Sequence, residues 1–174
     1  MNKKVLVIST SPRKGGNSDT LADFFIQGAQ EQGHAVEKVT LFDKQIGFCK
    51  GCLTCQSTQK CIIQDDANAI IQKMKEADVL VFATPIYYYG LSGQMKTLLD
   101  RANPLYSADY RFRDVYLLAA AAVEDTHTVD GAVTGLQGWV VCFEKARLAG
   151  PVFAGGVTAV GDIQSHPALE QSRA

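Results

Sequence analysis

Short apolar runs alternate with amphipathic stretches from one end of this chain to the other. Val5-Leu6-Val7-Ile8 is a continuous apolar run, the length of a buried strand. From Ser18 to Gly33, Leu21, Phe24, Phe25 and Gly28 recur at i, i+3, i+4 and i+7, which predicts a helix. Val36 to Phe42, carrying Val36, Val39 and Leu41, reads as an outer strand. Asp65 and Asp66 open a second helix with Ala67, Ile70, Ile71 and Met74 on one face. Its acidic first turn, and Lys73 and Lys75 near its end, both suit the helix dipole. Val79 to Ala83 is a third strand. Ser92 is placed to cap a helix bearing Met95, Leu98 and Leu99. Val115 to Val123 reads as a long buried strand. A further helix is expected from about Val129 to Leu148, with Leu136, Trp139, Val140 and Phe143 on one face and Gly150-Pro151 ending it. Val152 to Val160 reads as the last strand, followed by a short polar tail.

Strands alternating with helices imply an α/β fold with a parallel sheet. The count is five strands and four or five helices. Right-handed crossovers put helices on both faces. The expected strand order is 2-1-3-4-5, with its switch point between strands one and three. The 174 residues, without linker or repeat, fit a single domain, 1–174.

Composition narrows the function classes. A net charge of −1, with acids and bases mixed along the chain, gives no reason to expect nucleic acid or an anionic membrane as partner. The longest apolar run, Leu117 to Val123, cannot span a bilayer. No targeting segment is evident, and a cytoplasmic location is expected. Five cysteines are an odd count for a disulfide framework. Four of them crowd into positions 49 to 61, which argues for metal or redox chemistry.

Two loops follow the two strands at the expected switch point. The first, Ser9-Thr10-Ser11-Pro12-Arg13-Lys14-Gly15-Gly16-Asn17-Ser18, joins hydroxyls, an amide, two cations and two glycines to a helix start. That combination suits a phosphate. It lacks the glycine spacings of dinucleotide and nucleoside-triphosphate loops, so a monophosphate fits better. The second, Thr84-Pro85-Ile86-Tyr87-Tyr88-Tyr89-Gly90, offers an aromatic, uncharged surface for a planar ring. At least one of its tyrosines is expected to pack against the protein. A ring platform and a phosphate cradle together suggest FMN.

The run Cys49-Lys50-Gly51-Cys52-Leu53-Thr54-Cys55, continued at Cys61, leaves three readings open: an iron-sulfur cluster, a zinc site, or thiols without a metal. Lys44, Lys50 and Lys60 flank it. Cys142 is expected in the core. Lys96 and Asp100 form an i,i+4 pair, Arg101 reads equally well as structural, and His127 lies within possible reach of the flavin site.

The Ser-Pro-Arg…Gly-Asn-Ser loop, the cysteine run and the Pro-Ile-Tyr…Met-Lys…Leu-Asp-Arg segment resemble the flavodoxin-fold NAD(P)H-dependent FMN reductases, in particular their iron-sulfur flavoprotein branch. The resemblance extends to Gly161-Asp162-Ile163…His166-Pro167-Ala168-Leu169. It implies a three-layer flavodoxin-like fold. It implies that Ser11, Arg13, Asn17, Ser18 and Thr20 hold the FMN phosphate, that Pro85, Ile86, Tyr87 and Tyr88 hold the ring, and that the loop from Ala120 to Asp125 flanks it. In the iron-sulfur branch, cysteines at the spacing of Cys49, Cys52, Cys55 and Cys61 bind a 4Fe-4S cluster. The resemblance further implies a homodimer or homotetramer, NAD(P)H as hydride donor and a small acceptor such as a quinone, nitro or azo compound, flavin or metal ion. The rival within it is an electron carrier fed by ferredoxin.

Overall fold

The computed structural model describes residues 2–174. Five strands, β1 (Lys4–Ser9), β2 (Ala35–Thr40), β3 (Val79–Pro85), β4 (Asp114–Ala120) and β5 (Arg147–Ala154), form one sheet in the order β2-β1-β3-β4-β5. All four pairings are parallel. The expected fold and strand order are therefore observed. Chain direction and order together set the carboxyl ends of β1 and β3 side by side, with Ile8 beside Phe82 and Ser9 beside Ala83.

The helices are α1 (Asn17–Glu31), α2 (Thr54–Thr58), α3 (Asp66–Glu76), α4 (Gly93–Arg101), α5 (Asp130–Val140) and α6 (Ala168–Arg173). Strand side chains alternate between two cores, as a period of two demands. Leu6, Ile8, Leu80, Phe82, Val115, Leu117 and Ala119 face α3, α4 and α5. Val5, Val7, Val79, Val81, Ala83, Leu118 and Ala120 face α1 and α6. Both faces of the central strands are covered, which is why those strands read as unbroken apolar runs.

Asp65 caps α3 by accepting from Ala67 N–H, and Ser92 caps α4 by accepting from Met95 N–H at 3.3 Å. Ala67, Ile70, Ile71 and Met74 are buried, as their spacing predicts. Lys96 Nζ reaches Asp100 Oδ1 at 2.6 Å on the exposed face of α4.

The C-terminal third differs from the sequence reading in five places. β4 ends at Ala120 rather than Val123. The helix expected to reach Leu148 ends at Val140, and Leu148 lies in β5. Gly150-Pro151 lies inside that strand instead of ending a helix. β5 pairs only with β4, and its register shifts at Ala149, so a proline can occupy this edge strand. Cys142 therefore falls beyond the end of α5 and is exposed, not core. Finally, the polar tail folds: a 3-10 turn (Asp162–Ser165) leads to α6, which docks on α1.

That docking depends on Gly28. A Cβ there would lie 1.9 Å from the Arg173 carbonyl oxygen. Gly28→Ala is expected to push α6 off α1 and to cost about 1–3 kcal/mol, as overpacking does. Thermal unfolding and limited proteolysis at the C-terminus would register both effects.

Candidate functional site

The carboxyl ends of β1, β3 and β4 open on one crevice. Its lining joins Ser11, Arg13, Asn17 and Ser18 to Pro85, Ile86 and Tyr87, and then to Ala120, Ala121 and Ala122, with Val157 and Thr158 closing one side. The crevice holds about 170 Å3. Eight of the eleven residues expected to hold FMN thus share one surface: Ser11, Arg13, Asn17, Ser18, Pro85, Ile86, Tyr87 and Ala120. Thr20, Tyr88 and Asp125 lie off it. Thr20 spends its hydroxyl on the Gly16 carbonyl at 3.3 Å, and Asp125 accepts from His127 N–H at 2.9 Å. His127 also lies off the lining. It pairs with Asp130, which holds its pKa above the ordinary histidine value.

The end expected to receive a phosphate is built of backbone. Gly16 is the N-cap of α1, and no side chain caps that helix. Thr20 N–H is bonded to the Gly16 carbonyl, so the first-turn N–H groups before it are left for an outside acceptor. They carry the positive end of a 15-residue helix. The turn leading in is tight: Ser11 Oγ donates to the Arg13 carbonyl at 2.8 Å and accepts from Arg13 N–H at 3.2 Å. A Cβ at Gly16 would come within 2.6 Å of Ser11 Oγ.

Two expected phosphate ligands have a second task. Arg13 Nη2 donates to the Thr158 carbonyl at 3.0 Å, and Asn17 Nδ2 to the Ala159 carbonyl at 2.9 Å. Both tie the 157–162 loop to the start of α1. Asp162 Oδ2 braces that loop by accepting from Thr158 and Ala159 N–H at 2.9 and 2.7 Å. Asn17 Oδ1 is buried with no partner. An acceptor in that position suits a hydroxyl of a ligand chain. An open helix end, a glycine cradle and an orphaned acceptor on one crevice fit FMN. The sequence reading missed Val157 and Thr158. The signal for them was the Gly-rich stretch at the carboxyl end of the last parallel strand.

The aromatic end is a tight hairpin. Tyr87 and Gly90 exchange backbone bonds at 3.2 and 3.0 Å, and Tyr88 and Tyr89 both have positive φ, 49° and 61°. Two bulky residues in the left-handed region cost roughly 1–3 kcal/mol each, a strain typical of functional sites. The N–H groups of Tyr87 and Gly90 are consumed within the turn. None of the three tyrosines packs away: Tyr87 is 45% exposed, Tyr89 61% and Tyr88 fully. The expectation that at least one would pack is thereby corrected. A tight turn points its side chains outward.

Beneath, Thr10 Oγ1, Ser92 Oγ and Thr84 Oγ1 form a buried chain, 3.0 Å and 3.1 Å long in its two links. Thr10 Oγ1 also reaches the Ala83 carbonyl at 3.0 Å. These bonds weld the two loops to one another and to the start of α4.

Cys49, Cys52, Cys55 and Cys61 line one small cavity of about 20 Å3, together with Arg101 and Asn103. Cys49 and Cys52 are exposed and Cys55 is buried. Among the described residues, no three potential ligands are gathered to hold a single metal ion. The sulfurs are met by donors. Asn103 Nδ2 donates to Cys55 Sγ at 3.2 Å and Gly51 N–H to Cys49 Sγ at 3.4 Å. The backbone N–H of Thr54, then its hydroxyl, hold the Cys52 thiol below the ordinary range. Leu53 and Gln59 have positive φ, so the backbone wraps around the thiols. Four thiols, three of them met by N–H donors, fit a thiolate-ligated cluster by chemistry. The enclosed space is small, and a cluster held there would require the segment to spread at its exposed cysteines.

Arg101 and Asp65 hold this segment at both ends. The Arg101 side chain is fully buried and binds Asp65 through both Nη atoms, at 2.6 and 2.9 Å. It also donates to the Gly47 carbonyl at 2.8 Å and the Ile63 carbonyl at 3.2 Å. Burial works to raise the Asp65 pKa. The hydrogen bonds from Arg101, and from Gly47 and Ala67 N–H, outweigh it and hold the carboxyl below its usual range.

Comparison with known proteins agrees with this geometry. A family model described as NADPH-dependent FMN reductase matches residues 3–160. An iron-sulfur flavoprotein of Methanocaldococcus jannaschii is 42% identical over 102 residues, 59% of this chain and 53% of that protein. An iron-sulfur flavoprotein of Methanosarcina thermophila is 27% identical over 171 residues, 97% of this chain and 86% of that protein. The match thus spans about half the length of the first relative and most of the second. An NAD(P)H:quinone oxidoreductase from Methanothermobacter marburgensis superposes with a TM-score of 0.76 at 16% identity, covering 99% of this chain and 94% of that one, a likeness of fold.

The depressed Asp65 pKa fixes the sign of an acid effect. The clasp stabilises the fold fully above the unfolded carboxylate value of about 3.9 and is lost as pH falls through the lower folded value. Protection of buried Cys55 from 4,4′-dithiodipyridine, taken as its rate relative to the unfolded chain at the same pH, is expected to hold near neutrality and to be lost only below about pH 4.

Proposed function

The chain belongs to the NADPH-dependent FMN reductase family, and we propose that it is an FMN-dependent oxidoreductase that takes hydride from NAD(P)H and passes electrons to a small acceptor. The observation that carries this is the single crevice that joins the open end of α1 to the Pro85-Ile86-Tyr87 wall and the Ala120–Ala122 strand end. When bound, FMN supplies the hydride chemistry itself. The chain binds and orients it. The first-turn N–H groups of α1 and the Ser18 hydroxyl hold the phosphate. Arg13 adds positive charge there while fixing the 157–162 loop. Pro85, Ile86 and Tyr87 form one edge of the ring site, and Ala120 to Ala122 form a flat opposing edge without bulky side chains. The hairpin strain at Tyr88 and Tyr89 presents an aromatic rim at the mouth. Nothing else in the crevice resembles a separate nicotinamide site, so donor and acceptor use the same mouth in turn. A quinone, a nitro or azo compound, free flavin or a metal ion would suit that mouth. The exposed tyrosine rim is the surface a second copy would cover in a homodimer or homotetramer.

A second reading is favoured by the four cysteines sharing one cavity. Here the chain is an electron carrier that receives electrons from ferredoxin through a 4Fe-4S cluster held by Cys49, Cys52, Cys55 and Cys61. These cysteines, with N–H donors from Gly51, Thr54 and Asn103 at their sulfurs, would hold that group.

An anaerobic visible spectrum of the purified protein, with iron and sulfide assay, before and after NADH or NADPH, separates the readings. Flavin bands bleached by a nicotinamide are expected. Flavin with iron and sulfide but no bleaching would favour the carrier, and protein that neither carries nor binds flavin would overturn both. In addition, the Asn17→Ala/Ser18→Ala double variant is expected to weaken FMN binding at least about tenfold, since it removes a phosphate donor and a loop tie. Flavin-fluorescence quenching on apoprotein measures this, and an unchanged Kd would refute the phosphate assignment.

A further inference from the structure

Arg101 carries a charge where charge is expensive. Its side chain has no exposure, and an isolated buried guanidinium is strongly disfavoured unless compensated. Asp65 supplies one negative charge. Four donor bonds leave through the two Nη atoms, to Asp65, Gly47 and Ile63. The fifth donor, Nε, is buried and has no partner. An orphaned donor of this kind calls for an acceptor. Arg101 lines the same cavity as all four cysteines of the 49–61 segment. Asp65 foremost, and Cys61 after it, favour the charged guanidinium.

The lysines of the segment are poor substitutes. Lys50 and Lys60 are exposed, and Lys44 is spent on Asp43 at 3.0 Å. Water and salt screen exposed charges, whereas a buried cation acts on its neighbours almost unscreened.

We propose that Arg101 is a positioning residue of the cysteine site: it fixes both ends of the 49–61 segment through Gly47 and Ile63, and its buried charge and spare Nε–H raise the reduction potential of the sulfur-rich group held there. This rests on the cluster reading of the cysteines. The physical reason is charge. Reduction adds an electron to a site already rich in thiolates, so a fixed cation alongside favours the reduced state, as do hydrogen bonds to the sulfurs. Asp65 is the counterweight. It cancels part of that charge and its removal works the other way.

The test is an EPR-monitored redox titration of anaerobically purified protein, with iron and sulfide content measured on each sample. Arg101→Gln is expected to retain iron and to shift the cluster midpoint to more negative potential. Arg101→Lys, which keeps the charge, is expected to stay nearer the parent value. Asp65→Asn, which keeps an acceptor but loses the negative charge, is expected to shift the midpoint to more positive potential. Should Arg101→Gln fail to hold iron, Asp65→Asn carries the test alone. Midpoints unchanged in iron-replete variants, or shifted in one direction by all three, would overturn the proposal. Parent protein without iron and sulfide would instead overturn the cluster reading on which it stands.

Discussion

One buried charged pair fixes the two ends of the cysteine segment. The segment from Cys49 to Cys61 belongs to no strand, and its only regular element is the five-residue α2. Its backbone bonds are local turns, and two side-chain bonds tie its middle to the chain after α4: Gln59 Nε2 to the Ser107 carbonyl at 2.9 Å and Asn103 Nδ2 to Cys55 Sγ at 3.2 Å. Its two ends are held by the Arg101–Asp65 pair, with Gly47 gripped before the first cysteine and Ile63 after the last. Asn68 Nδ2 reinforces the second grip at 2.9 Å from the Ile63 carbonyl. Closing a loop of this length costs only a few kcal/mol of chain entropy, so one bidentate buried pair is enough to offset it. The dependence is asymmetric. Replacing both charges with well-packed apolar groups could be nearly neutral, but removing one partner strands the other and costs about 3–5 kcal/mol. The clasp therefore specifies a geometry more than it adds stability.

The crevice at the carboxyl ends of the strands obeys a different constraint. In a parallel sheet every strand ends at the same edge, so five loops converge there without any further device. The order β2-β1-β3-β4-β5 sends the chain in opposite directions from β1, and the two loops that flank this switch point are the open turn before α1 and the tyrosine hairpin. The Thr10–Ser92–Thr84 hydroxyl chain fixes their separation from below. Ser92 serves both tasks at once, as cap of α4 and as centre of that chain. The sequence signal for the cap was also the signal for a site scaffold.

Much of this was legible beforehand because the central strands are buried on both faces and so form continuous apolar runs. Leu21, Ile70, Met74 and Leu98 declared their helices through spacing, and Asp65 and Ser92 declared their starts through capping chemistry. The end of α5 was not legible. Apolar residues continue past Val140 through Phe143 to Leu148, and nothing local marks where the period changes from helix to strand. Gly150-Pro151 reads as a breaker only until the strand is known to lie at an edge, where a missing N–H costs no ladder bond. Strand order, and hence edge status, is a tertiary property. The roles of Arg101 and Thr158 were hidden for the same reason. Each acts across 36 or more residues of sequence, on partners that no periodicity connects.

Three helix starts differ in how their first turns are closed. Asp65 closes α3 with its own side chain and Ser92 closes α4, so both termini are satisfied within the chain. Gly16 does neither for α1, although Asn17 and Ser18 stand immediately beside it with groups that cap well. Asn17 is instead turned to the Ala159 carbonyl, and Ser18 makes no cap bond. A folded chain leaves first-turn N–H groups unpaired at a cost, and here the means of pairing them lies one residue away. The arrangement is stable only if water or a bound anion occupies that end. The Ser11–Arg13 turn, the close approach of Gly16 to Ser11 Oγ and the braced 157–162 loop all shape the same space. A phosphate there would receive the helix dipole, the backbone donors and the nearby cation together, and its attached ring would be directed along the crevice towards Pro85 and Tyr87.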